Sequence, residues 1–143
     1  MKKVIITCAL FISLTASAFA SSTNNVDRIA VENFSASFKD ATNVEWTVTD
    51  NAYYVAFNQG GKRQQALYTK QGEFIATSTA ASLEDLPVAT KRNFAKKYDG
   101  YSIVEVQKYQ FADETAYYLA AQKDNKTIIV KVSETGSVTL QQK

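Results

Sequence analysis

The sequence predicts an α+β fold built as a tandem repeat. One helix and a four-stranded antiparallel sheet occur twice (αββββ twice), with both helices on one face of the sheet. The two sheets can join, which would give up to eight antiparallel strands. Apolar residues recur at helical spacing in two places, and short segments of strand character follow each of them. Short motifs also return along the chain, as Asn33-Phe34 does at Asn93-Phe94. We therefore place repeat one at about residues 26–80 and repeat two at about residues 83–143.

The first twenty residues have the three parts of a secretory signal peptide. Lys2 and Lys3 precede an apolar run, and small residues end at Ala20, after which cleavage is expected. Residues 21–25 are then a flexible lead, residues 26–143 form the folded domain, and the protein is periplasmic or secreted. Lipidation of Cys8 is the alternative to this cleavage. The apolar run is too short to cross a bilayer, so we predict no transmembrane anchor.

Repeat one opens with a helix that Asp27 can cap, and Ala30, Phe34 and Phe38 form its apolar stripe. Residues typical of turns then separate four segments of strand character. The predicted strands are Val44–Val48, Tyr53–Phe57, Gln64–Thr69 and Phe74–Thr79.

Repeat two opens with a helix that begins at Leu86-Pro87, because proline is tolerated in a first helical turn, and Asp85 is placed to cap it. Thr90, Phe94 and Tyr98 take the spacing that Ala30, Phe34 and Phe38 have in helix one. The later motifs lie four residues further on than the first repeat predicts, and we assign this difference to a longer hairpin around residues 110–114.

The composition excludes several classes of function. Without Lys2 and Lys3 the chain has 14 basic and 14 acidic residues, so it lacks the basic surplus of a nucleic-acid-binding protein. It has no histidine, and its one cysteine, Cys8, lies in the signal peptide. Disulfides, triad-type catalysis and sites for soft metals are therefore not expected, and we predict no cofactor, no metal and no enzymatic activity.

Two acidic patterns could indicate a chemical site, but each is better explained by a structural role. Glu45 and Glu105 occupy matching places, and two carboxylates are the minimum for glycoside hydrolysis, but each lies between apolar strand residues and points to the solvated face. Asp113-Glu114 and Asp124-Asn125 are more typical of hairpin turns than of a calcium loop.

The basic pairs Lys91-Arg92 and Lys96-Lys97 are typical of the solvent face of helix two, with weak contact to anionic lipid as the alternative.

Strand alternation separates a helix-covered face from an open one. The covered face receives Trp46, Tyr53, Val55, Phe57, Ala66, Tyr68 and Phe74, then Val106, Tyr117, Leu119, Val130 and Val132. Tyrosines and aliphatic residues on the open face suit a protein partner, although tyrosine is also common in strands for structural reasons. The candidate partner-binding residues are Glu45, Tyr54, Leu67, Glu105, Tyr118, Ile129 and Lys131.

The chain resembles the PepSY-like, beta-lactamase-inhibitor-like (BLIP-like) small exported proteins of Bacteroidetes. The resemblance covers nearly the whole chain after the signal peptide. It rests on Asn43-Val44-Glu45-Trp46, Ala66-Leu67-Tyr68 followed by Gln71-Gly72, Leu86-Pro87, and Phe94-Ala95-Lys96-Lys97-Tyr98-Asp99-Gly100. The family often has proline after the aromatic residue that ends the helix, whereas Lys39 and Asp99 stand there in this chain. The resemblance implies this fold and, by analogy, inhibition of an enzyme.

Our main hypothesis is a non-enzymatic binding module of the cell envelope, an inhibitor or propeptide-like regulator that holds another envelope protein on the open sheet face. The alternative is a periplasmic carrier of a small apolar or peptide-like ligand.

Overall fold

A computed structural model describes residues 25–142. The predicted signal peptide and residues 21–24 of the flexible lead lie outside the described residues. The elements in chain order are α1 (Arg28–Ser37), β1 (Thr42–Val48), β2 (Ala52–Gln59), β3 (Lys62–Thr69), β4 (Phe74–Ala81), a short 3₁₀ helix (Leu83–Asp85), α2 (Val88–Lys97), β5 (Ser102–Phe111), β6 (Thr115–Lys123), β7 (Lys126–Ser133) and β8 (Val138–Gln142).

The predicted fold class, a repeat of one helix plus a four-stranded sheet, is wrong. The described strands form one eight-stranded sheet in the order β1-β2-β3-β4-β5-β6-β7-β8, and only two α-helices accompany it in residues 25–142. One sheet has two edge strands, whereas two separate four-stranded sheets would have four, each with unpaired backbone N–H and C=O groups. A single larger sheet therefore satisfies more of the backbone.

The chain divides into two compact units. The N-terminal unit contains residues 25–80 and Lys108–Thr115, and the C-terminal unit contains Ala81–Gln107 and residues 116–142. Each is described by itself below.

Helix α1 of the N-terminal unit begins and ends as its sequence predicts. The backbone N–H of Ile29 donates to Asp27 Oδ1 at 2.7 Å, which confirms Asp27 as the cap. Ala30 and Phe34, four residues apart, form the buried stripe. The last turn ends where the N–H of Phe38 donates to the carbonyl of Phe34.

Aromatic rings form much of the N-terminal core. The Phe57 ring lies 5.0 Å from that of Phe34 and 4.7 Å from that of Phe38, and Phe34 also packs edge-on against Trp46 at 5.5 Å. These side chains lie on the predicted helix-covered face, so that assignment is confirmed for Trp46 and Phe57. Phe74 was also expected in the core, and the register shift between Leu67 and Tyr68 pairs it with Tyr68, whose ring lies 5.7 Å away. Phe74 is nevertheless 47% exposed at the start of β4, so its predicted burial is wrong.

The C-terminal unit has a similar core beneath α2. Pro87 precedes the helix, and Phe94 is buried. The expected cap is wrong, because the Asp85 carboxylate accepts from the backbone N–H and the hydroxyl of Ser82 at 2.7 and 2.9 Å and so closes the 3₁₀ helix before α2. The core residues Leu86, Phe94, Val106, Tyr117, Leu119, Ala121, Ile128, Val130 and Val132 include every residue predicted for the covered face in this part of the chain.

The same side-chain hydrogen bond joins the helix to a turn in each unit. Asn33 Nδ2 donates to the carbonyl of Gly72 at 2.9 Å, and Asn93 Nδ2 donates to the carbonyl of Gly136 at 2.8 Å. Each glycine lies in the turn that follows the third strand of its unit, so each bond fixes the helix over the sheet.

Tyr68 has a buried hydroxyl that has no hydrogen-bond partner within the described part of the chain. Burial raises the pKa of Tyr68 to about 12 from 10.0. A buried hydroxyl without a partner costs about 1–3 kcal/mol of stability. We expect Tyr68→Phe to keep or raise the free energy of unfolding at neutral pH, as measured by urea unfolding.

The pH dependence of the two proteins should also differ. Between pH 10.0 and about 12 the unfolded state binds fewer protons at Tyr68 than the folded state does. The free energy of unfolding is therefore unaffected by this group below pH 10.0 and falls as the pH rises towards about 12. The total loss from this group is about 2–3 kcal/mol. Tyr68→Phe should lack this part of the alkaline loss. Parallel curves for the two proteins across this range would contradict the assignment.

Candidate binding face of the sheet

The helix-free face is the side of each unit's strands that points away from its helix. In the N-terminal unit it carries Glu45 and Thr47 of β1, Tyr54 and Ala56 of β2, Arg63, Gln65 and Leu67 of β3, and Ala76 and Ser78 of β4. These residues alternate with the core residues along each strand, so the sequence period of two assigns them to this side.

One row of this face crosses four strands of the N-terminal unit. Thr47 pairs in register with Tyr54, Tyr54 with Leu67, and Leu67 with Ala76. Thr47 is exposed, whereas Tyr54 is 5% and Leu67 0% exposed. The prediction that Tyr54 and Leu67 are accessible on an open face is therefore wrong, because both are buried. In this row the exposed residue is Thr47 on β1.

A second row runs beside it and is more polar. Glu45 pairs with Ala56, Ala56 with Gln65, and Gln65 with Ser78. The Ser78 hydroxyl lies 3.5 Å from Gln65 Oε1, and both residues are buried. The buried part of this row therefore contains hydrogen-bonding groups, in contrast to the apolar row beside it.

Arg63 is a residue of this face that sequence reasoning missed. Its Nη2 lies 2.7 Å from Glu45 Oε2, and its Nη1 donates to the carbonyl of Asn43 at 2.8 Å. The guanidinium therefore reaches from β3 past β2 to two residues of β1. The alternation that assigns Leu67 to this face also assigns Arg63, which lies four residues earlier on the same strand. Arg63 could therefore have been placed on this face from the sequence.

The C-terminal unit has its own helix-free face. Tyr118 pairs in register with Lys131 and Ala120 with Ile129. Tyr118 is 5% exposed, whereas Ile129 and Lys131 are half-buried. As in the N-terminal unit, the candidate tyrosine is buried. The more accessible side chains, Ile129 and Lys131, lie on the neighbouring strand β7.

Glu105 lies on β5 of the same unit and is half-buried. Its Oε1 accepts a hydrogen bond from Gln107 Nε2 at 3.0 Å, which places both side chains on one side of the strand. Glu45 is bound by a guanidinium and Glu105 by a carboxamide, so each carboxylate has a structural partner of its own.

Residues 25–142 contain neither a cluster of metal-ligating side chains nor a helix that could span a membrane. No group of three or more acidic, histidine or cysteine side chains within this range could hold a metal ion. No helix in the same range has the length and the apolar character needed to cross a membrane.

Comparison with solved structures shows which fold this is. A DUF2874 family protein from Bacteroides uniformis superposes with a TM-score of 0.67 at 17% identity, covering 79% of this chain and 86% of that chain. A proposed periplasmic protein from Bacteroides eggerthii gives a TM-score of 0.67 at 17% identity, covering 79% and 85%. A BLIP-like protein from Bacteroides fragilis gives 0.62 at 17% identity, covering 79% and 82%.

The fold is similar to theirs. The predicted resemblance to BLIP-like proteins is confirmed at the level of the fold, whereas its PepSY part stays a prediction. No family model and no curated protein sequence matches the chain.

Proposed function

We propose that this chain is a non-enzymatic binding module of the cell envelope and that it holds another protein against the helix-free face. The supporting observation is that one side of each unit's sheet has no helix on it. On this side, buried residues such as Tyr54 and Tyr118 lie beside accessible ones such as Thr47 and Ile129. The absence of histidine from the sequence, and of any cysteine after Cys8, supports a role without catalysis. Among the proteins of similar fold, one is BLIP-like and one is a proposed periplasmic protein, which supports a binding role in the envelope.

The accessible and the buried candidates have different roles in this proposal. Glu45, Ile129 and Lys131 contact the partner directly. Tyr54, Leu67 and Tyr118 are buried and stabilise the strands that carry the contact residues. Glu105 stabilises the same side of β5 through its hydrogen bond with Gln107. Truncation of a buried tyrosine would therefore disturb folding as well as binding, and the test has to rest on the accessible positions.

The test uses a photo-crosslinking amino acid at one position at a time, in cells that produce the protein. Thr47 and Ile129 represent the helix-free faces of the two units, and exposed Ser35 on α1 represents the helix side. We expect an adduct of one discrete mass at Thr47 or Ile129 and none at Ser35. Equal adducts at all three positions, or none at Thr47 and Ile129, would remove the proposed face.

A second variant separates contact from stability. The Glu45–Arg63 pair is partly exposed, so Glu45→Ala should lower the free energy of unfolding by no more than about 1 kcal/mol. Loss of the Thr47 adduct in this variant, with unchanged thermal unfolding, would show that the carboxylate takes part in binding.

The carrier of a small apolar or peptide-like ligand is the competing function, and the buried apolar row of Tyr54, Leu67 and Ala76 favours it. It predicts a bound small molecule in native mass spectra and no protein adduct at Thr47.

A further inference from the structure

Helix α2 has a solvent side unlike that of α1. Its ten residues, VATKRNFAKK, include four basic residues and no acidic one. The ten residues of α1 include one basic and one acidic residue, Arg28 and Glu32, which pair at 3.5 Å. Four of the seven basic residues in 81–107 and 116–142 thus lie on one short helix, although the chain after the signal peptide is close to neutral.

Three of the four cations on α2 have no partner. Among residues 25–142, neither an ion pair nor a hydrogen bond involves the side chains of Lys91, Arg92 or Lys96. The fourth, Lys97, donates to the carbonyl of Val138 at 2.8 Å and so fixes the end of the helix to β8. The nearby acidic residues are Glu84, Asp85 and Asp99 beyond the ends of α2, and Glu134 in the turn after β7. That turn is bound to Thr90 and Asn93, which lie on another side of the helix from Arg92 and Lys96.

The same side of α2 also exposes apolar side chains. Val88 is 68% exposed and lies four residues before Arg92, which lies four residues before Lys96, so the three form one line along the helix. Ala95 is exposed beside them. An acidic protein surface would match the cations alone, whereas the interface of an anionic bilayer accepts both cations and small apolar groups.

We infer that the solvent side of α2, formed by Val88, Lys91, Arg92, Ala95 and Lys96, docks on anionic phospholipid headgroups. The three free cations would contact the headgroup phosphates, and Val88 would enter the boundary with the acyl chains. Because these contacts lie at the surface, the attraction should weaken as salt is added. The inference does not depend on the proposed function of the helix-free face.

The test is co-sedimentation with vesicles of phosphatidylcholine alone or mixed with an equal part of phosphatidylglycerol. The triple variant Lys91→Gln/Arg92→Gln/Lys96→Gln removes the free cations and keeps good helix-forming residues. The matched control Lys39→Gln/Lys62→Gln/Lys126→Gln removes the same charge from exposed positions outside the helices. All proteins carry the same N-terminus, so any contribution of residues 1–24 cancels.

We expect binding to the anionic vesicles only, with partitioning about a hundredfold weaker in the α2 variant and changed much less in the control. Circular dichroism of both variants checks that the fold is kept. No binding to anionic vesicles, or an equal loss in the two triple variants, would overturn the inference. Binding to polyglutamate but not to vesicles would also overturn it, in favour of an acidic protein partner.

Discussion

Phe57→Ala is expected to lower the free energy of unfolding by about 3–5 kcal/mol, a large part of the stability of a domain this size. Phe57 is 0% exposed, and its ring lies within 5.0 Å of the centres of two other rings, Phe34 and Phe38. Removal of the ring leaves a cavity between α1 and the sheet that the flat neighbouring rings cannot fill by small movements. Urea unfolding followed by circular dichroism would measure the loss.

Phe74→Ala is the matched control, because it removes the same ring from a position that is 47% exposed. Much less apolar surface returns to water there, so the loss should be clearly smaller than at Phe57. Similar losses at the two positions would show that the core does not depend on Phe57 as the structure indicates.

Gly72→Ala is expected to have the second large effect. Gly72 has a φ of +84°, and a Cβ atom at this position would lie 2.7 Å from the backbone N of Ala30 and 2.9 Å from Ile29 Cβ. Neither the backbone nor a branched side chain of α1 can yield without moving the helix. Backbone strain and the clash together should lower the free energy of unfolding by about 2–6 kcal/mol.

Gly60→Ala separates strain from contact. Gly60 has a φ of +59°, and nothing lies within 4 Å of the position where its Cβ would be. Only the left-handed conformation opposes alanine there, at about 1–2 kcal/mol. Thermal unfolding of the two variants would compare them directly, and a Gly60→Ala loss as large as that of Gly72→Ala would refute the close approach of α1 to the turn.

The helices, the core and most of the strands of the first half could be predicted from the sequence, because each depends on a local period. Phe34 and Phe94 each belong to a stripe of residues at helical spacing, one in α1 and one in α2. Trp46 and Val55 follow strand alternation, so the burial of all four can be predicted without knowledge of distant contacts. The longer hairpin predicted around residues 110–114 lies where β5 and β6 meet at the Phe111–Glu114 turn. β5 has 10 residues and β6 has 9, whereas β1 has 7 and β2 has 8.

The sequence allowed the two sheets to join but did not decide it. The choice depends on the pairing of β4 with β5, and no periodicity within a strand records which strand lies beside it. The cap at Asp85 had a similar ambiguity. A carboxylate before proline can close the turn that precedes a helix as well as the helix itself, and Ser82 decides between them.

The sequence predicted on which side of the sheet the candidate residues lie, but not how exposed each of them is to solvent. Alternation placed Tyr54 and Glu45 correctly on one side of the sheet, yet it contains no information on how far each strand lies from solvent. Tyr54 lies on the second strand of the sheet order and is buried, whereas Glu45 lies on the first strand and is exposed.

Strand β1 is the first strand in the sheet order, and its pairing with β2 is irregular between Thr42 and Glu45, where Asn43 has a φ of +50°. Irregularities of this kind twist an edge strand away from a flat template, and a charged side chain beside them opposes the approach of a second strand. Glu45, held in place by Arg63, provides that charge. The start of β1 is therefore a poor template for a further strand, which opposes edge-to-edge pairing with a second copy.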